Sequence, residues 1–402
     1  MKAFRRITLS LFAMAPAAVA APALAQQVRT LPAPDATFEE PFTQLGAGTV
    51  RELRNGRVVV ADPRDKILQL IDVASGEAVK IGREGSGPGE YGLPARLFGA
   101  PGDTTLVFDI ANQRYLVIAP DGKAVNSFRL EAAAPAAVGG RVRISLLFPR
   151  ASDSQGRLYY ETTPTGGPDG GQMADSVAIM RYDRARQRHD TVGMIKIAPP
   201  VMQTSGTEGN VQVMMRPPNP LLPRDEWTVF PDGRVAIVRA SDYHVDWVMA
   251  DGTKRSSARI SFPALRMGAA DIKEEEALRV RAQSGQMRMM ISNDNGAVSR
   301  STGFGPPPGG APAPLNDWPE LKPPFRPGMA SIWARPNGEL WVRRMEPAGA
   351  KGTLFDVINA QGVVTHKVRV PAGVSVVGMG NGTVYTIRLD EDDLQHLQRH
   401  RM

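Results

Sequence analysis

Two sets of side chains carry whatever chemistry this sequence offers. The first is the five histidines, at positions 189, 244, 366, 396 and 400. None stands in an H-E-x-x-H or comparable ligand spacing, and no G-x-S-x-G nucleophile turn occurs. His396 and His400 are four apart, but the surrounding L-Q-H-L-Q-R-H alternates like a strand. That pattern puts them on one face without making them adjacent ligands. The second set is charged and periodic. Six residues past each of six turns stand Asp62, Asp109, Thr162, Arg239, Arg344 and Arg388, with Glu161 and Arg343 immediately before two of them. The first three positions are acidic or hydroxylic and the last three are arginines. Carboxylates gathered around one opening suit a hard cation, which takes oxygen donors. Converging guanidiniums suit a carboxylate, phosphate or sulfate, which they pair bidentately.

The elements that must position these residues form a repeat. Each unit is a strand, a tight turn bearing Gly, a β-rich strand, a short loop, an apolar strand and a second turn. The turn glycines are Gly56, Gly102, Gly156, Gly233, Gly338 and Gly382, preceding segments such as V-V-V-A-D, T-L-V-F-D and E-L-W-V-R. The shorter spacings, 44 to 54 residues, match one blade of a β-propeller, and the spacings of 77 and 105 mark insertions. The expected fold is all-β: a six-bladed β-propeller of four-stranded antiparallel blades, with a helical and Pro-rich insertion, about 261–329, between blades four and five. The sixth unit ends too soon for a fourth strand. The segment about 40–45 is therefore expected to close the last blade, because an unpaired outer edge is costly.

In that insertion, Asp271 and Glu274 read as a capping box opening a helix through K-E-E-E-A-L-R-V-R-A-Q. Trp318 and Phe325 read as anchors to the ring, and Gly303–Pro314 as a spacer too rich in Gly and Pro for regular structure. The run Gly85-Ser86-Gly87-Pro88-Gly89 reads as an inter-blade crossing; no Gly-Lys-Ser/Thr and no helix follow it, so it lacks a phosphate loop's machinery. Trp247, Trp333 and Trp341 lie in strands and are expected to pack between blades.

V-V-V-A-D-P-R-D-K-I-L-Q-L-I-D followed by I-G-R-E-G-S-G-P-G-E-Y resembles the strand pair and glycine-rich link of secreted bacterial six-bladed β-propellers related to NHL-repeat proteins. The resemblance spans the mature chain and is strongest over about 50–130. It implies the fold and little about activity, since propellers host many unrelated functions.

The chain opens as an export signal. Lys2, Arg5 and Arg6 precede the apolar run from Ile7 to Ala20, and Ala23-Leu24-Ala25 offers a cleavage site before Gln26. The run is too short and too interrupted by Pro16 and Pro22 for a membrane span. The expected division is a signal peptide, 1–25, and one propeller, 26–402, in the periplasm or outside the cell. Without the three signal cations the formal charge of +7 falls to +4, which does not make a nucleic-acid binder. With no cysteine, the exported fold must rely on its core rather than on disulfides.

Taken together, these residues point to a monomeric binding module whose channel mouth takes an anionic or mixed-charge ligand, whether small molecule, peptide, glycan or protein, with no cofactor. The site residues are then Asp62, Asp109, Glu161, Thr162, Arg239, Arg343, Arg344 and Arg388. The alternative is a metal-assisted hydrolase or lyase of the lactonase or amidating-lyase type. Asp62, Asp109 and Glu161 would then hold calcium or zinc.

Overall fold

The computed structural model describes residues 27–130, 148–164, 173–199, 218–282 and 315–402 in full, and the backbone alone of 201–207, 210–216, 283–284, 287–294 and 297–304. The export segment, most of Gly303–Pro314 and the glycine-rich stretch after residue 164 lie outside the described residues.

Six sheets form a closed propeller. In blade 1 the strands Val50–Glu52, Val58–Asp62, Ile67–Ile71 and Ala78–Lys80 run antiparallel from the axis outward. Blades 2 to 5 repeat that order over 94–128, 151–196, 226–256 and 332–370, and blade 6 begins at Val374–Met379. The second strand of each blade has a neighbouring sheet on either side. Val58, Val59, Val60 and Ala61 are accordingly all buried, as are Thr105 to Phe108 in blade 2. Continuous apolar runs, rather than alternating ones, are what such doubly covered strands require. The core lies between blades: Val59, Ala61 and Leu70 of blade 1 pack with Val107, Leu116 and Ile118 of blade 2. All six repeat glycines have positive φ, from 71° to 90°, a conformation that costs most residues energy and glycine none.

Closure depends on the chain's beginning. Ala36–Thr37 adds antiparallel to Gln395–Arg401 as the outer strand of blade 6, and Val28–Thr30 adds parallel to Val364–Val370 as a fifth strand on blade 5. The segment 40–45 contributes a single bridge, Phe42 to Gln395, so the paired strand lies a few residues earlier than its sequence suggests. Segment 40–45 instead supplies packing. Phe38, Phe42 and Leu45 are buried between blades 6 and 1, a contribution of roughly 2 kcal/mol each.

The insertion between blades 4 and 5 carries the helix Ala269–Ser284 and the hairpin Met287–Asp294/Ala297–Phe304. The capping box is not formed as expected. Gly268 occupies the cap, and Asp271 reaches back to its N–H at 2.9 Å while also taking Lys322 Nζ and Ala348 N–H. Asp271 stands three residues past Gly268 and fills the back-bonding position of a capping box rather than the cap itself. Glu274 accepts from Gly349 N–H, and Glu275 forms a two-pronged pair with Arg326 at 2.5 and 2.7 Å, clamping the helix onto blade 5. Phe325 is buried in the core between blades 4 and 5.

Candidate functional site

The eight rim residues are spread over all six blades, one strand out from the axis, and most meet the incoming inter-blade link rather than an opening. Asp62 is fully buried: one oxygen accepts from the N–H groups of Thr43 and Gln44, the other from those of Arg64 and Asp65. Asp109 repeats the device in blade 2, taking the N–H groups of Gly92 and Leu93 and the Asn112 amide. Each carboxylate thereby ties down the link that enters its own blade. In blade 4 the polarity is exchanged. Asp225 on the link accepts from Ala240 N–H and from Arg239, which also pairs with Asp246 at 2.7 Å.

Glu161 accepts from Arg150, Arg224 and Trp227 Nε1. Burial pushes its pKa upward, but Arg150 and Arg224 outweigh burial and hold the carboxyl below the ordinary value. Thr162 bonds Ala178 N–H at 3.0 Å, Arg344 pairs with Asp356 at 3.1 Å, and Arg388 is exposed. Arg343 and Arg344 share a small recess of about 70 Å³ beneath the helix with Lys322 and Arg326. Arg343 is pushed down to about 10 by burial and by Arg326.

Asp62, Asp109 and Glu161 do not come together. Among the described residues no group of three His, Asp or Glu side chains could hold a metal ion. The histidines serve the scaffold: His396 bonds Asp390, while His400, buried, bonds Thr386 Oγ1 and the Pro32 carbonyl.

The large concavity lies on the axis itself, a channel of about 1050 Å³ walled by the innermost strands of all six blades. Six arginines border it, Arg51, Arg54, Arg96, Arg150, Arg399 and Arg401, against three carboxylates, Glu52, Asp103 and Asp153. Most of these cations are neutralised. Arg51 pairs with Asp103 at 2.9 Å, Arg399 and Arg401 with Asp35, and Arg150 with Glu161 and Glu226. Arg150 loses to burial but is held above its ordinary pKa by those two carboxylates.

Arg96 differs. Among the described residues its guanidinium meets neutral acceptors: the carbonyls of Pro149 and Ala47 at 3.4 and 3.5 Å, and Met329 Sδ at 3.0 Å. These groups belong to the entries of blades 3, 1 and 5, so Arg96, on blade 2, spans the link end of the channel. Burial, with nearby Arg150 adding to it, lowers its pKa to about 10. The other end, ringed by the turns that carry the repeat glycines, includes Arg54, Asn55, Asp103 and Asn381.

Sequence reasoning passed over Arg96 because only ring closure turns the innermost strands toward a common axis. A usable signal was present: an arginine in or beside the first strand of each of blades 1 to 3, Arg51, Arg96 and Arg150. Trp333 packs on the core between blades 5 and 6 and also borders the channel, which was not expected. Trp227, Trp247 and Trp341 are buried between blades, whereas Trp333 is half-buried and borders the channel, its Nε1 donating to Ala330 O at 3.0 Å.

No protein-family model and no curated protein matches the chain. Solved structures do resemble it. A member of the DUF4221 family from Bacteroides vulgatus is 9% identical with a TM-score of 0.45, covering 91% of this chain and 96% of that one. Regucalcin from Agrobacterium tumefaciens, a calcium-binding protein, is 11% identical with a TM-score of 0.37 over 93% and 96% of the two chains. A streptogramin B lyase is 11% identical with a TM-score of 0.36 over 91% and 86%. Among the described residues no helix is long and apolar enough to cross a membrane.

Proposed function

We propose that this chain is an exported ligand-binding propeller whose ligand is anionic and enters the central channel from the turn face. The observation that carries this reading is Arg96, a half-buried charged group at the end of a large channel, given no carboxylate partner among the described residues. A desolvated cation facing neutral acceptors costs stability, and an incoming anion recovers that cost as binding energy.

The test is a thermal-shift screen against phosphate, citrate and acidic sugars in low and high salt. At least one anion is expected to raise the melting temperature by a few degrees when present at about a hundred times its Kd, since selective binding to the native state then adds about 2.7 kcal/mol. High salt is expected to weaken the effect. A screen in which cations or neutral compounds stabilise and no anion does would refute the reading.

A further inference from the structure

We infer that the channel recognises a carboxylated sugar ring, of the uronic-acid class, with its carboxylate on Arg96 and its ring against the indole of Trp333. The inference rests on the anionic-ligand reading and adds the ligand's shape. Trp333 Nε1 is held by Ala330 O, and the residue before Ala330 is Met329, whose sulfur lies 3.0 Å from Arg96 Nη2. The aromatic side chain and the guanidinium are therefore connected by two contacts and one peptide link.

Thioether sulfur is a weak acceptor, so a carboxylate readily displaces it and gains a charge-assisted, two-pronged bond in its place. One flank of Trp333 packs on the core between blades 5 and 6, while the rest of the side chain borders the channel. Its ring is thus fixed in position before any ligand arrives, which lowers the ordering cost of binding. The channel wall mixes polar and apolar groups, with Thr228 on the neighbouring innermost strand and, toward the turn end, Ser154 and Asn381 offering hydroxyl and amide groups suited to a polyhydroxylated guest. The volume of about 1050 Å³ stands at the upper end for small-molecule sites and has room for about three sugar rings.

The probes are trigalacturonate, neutral galactotriose, benzoate and acetate, titrated into the full mature protein by calorimetry, with Trp fluorescence as a second readout. The expected result is that trigalacturonate binds at least tenfold more tightly than each of the other three. Arg96→Gln then weakens trigalacturonate at least tenfold. Trp333→Ala weakens trigalacturonate at least tenfold but acetate less than threefold, and Trp333→Phe restores most of the loss. Circular dichroism and melting temperature check that each variant is folded. Benzoate binding as tightly as trigalacturonate, or trigalacturonate binding untouched by a folded Trp333→Ala variant, overturns the sugar-ring inference and leaves the anionic reading standing. Failure of every anion to bind, or binding indifferent to Arg96→Gln, overturns both.

Discussion

Asp62, Asp109 and Arg96 show charged residues used in two ways, to complete the scaffold and to await a ligand. Asp62 and Asp109 are buried acceptors for backbone N–H groups of the links, so removing either carboxylate strands several donors. Asp109→Ala is expected to cost about 2–4 kcal/mol, read as a lower denaturation midpoint with an unchanged slope. Arg96 predicts the opposite sign. Its replacement by leucine removes a partly desolvated charge with no anionic partner among the described residues and is expected to raise the stability of the ligand-free protein by about 1 kcal/mol while abolishing anion binding. Chemical denaturation and calorimetry on one variant report both outcomes. At this scale the sequence was legible only in part. Aligning the blades found a real regularity in Asp62 and Asp109, but the regularity belongs to link anchoring. Nothing local separates a carboxylate that holds a backbone from one that waits for a ligand.

Elements were easier to read than their couplings. The six turn glycines announced the hairpins because positive φ is a local demand met by a local residue. The outer strand of the last blade was harder, since it comes from the far end of the chain, and only two residues, Ala36 and Thr37, pair. What secures that latch is ionic and hydrophobic: Asp35 with Arg399 and Arg401, His400 with Pro32, and three buried apolar side chains. The latch is also where acid should act first. Burial lowers the pKa of His400, so the unfolded state binds the proton more readily, and stability falls as pH drops through about 6.5, the unfolded histidine value. Asp35 is held low chiefly by its bond to Arg399, so its contribution is present above about 3.9 and is lost as pH falls further through the folded value. Hydrogen-exchange protection factors of residues 28–42, corrected for the intrinsic rate at each pH, are expected to fall below pH 6.5 and again below pH 4, and His400→Gln is expected to remove the first step. A single acid transition common to all six blades would contradict this.

At the scale of the whole molecule, a chain with no cysteine gains rigidity by closing its sheets into a ring. The same closure turns side chains of the innermost strands, unremarkable in sequence, toward one axis. Fold class and blade number could be read from repeat spacing because both are periodic properties. The site could not, because a channel wall is assembled from six segments spread over more than three hundred residues and exists only after closure. The most direct measurement is a crystal structure of the mature protein soaked with the anion that stabilises it best. The account predicts density for that anion inside the channel, within hydrogen-bonding distance of the Arg96 guanidinium, with Met329 Sδ displaced. Density instead at the outer rim, beside Arg239, Arg344 or Arg388, with Arg96 still on Met329, would contradict it.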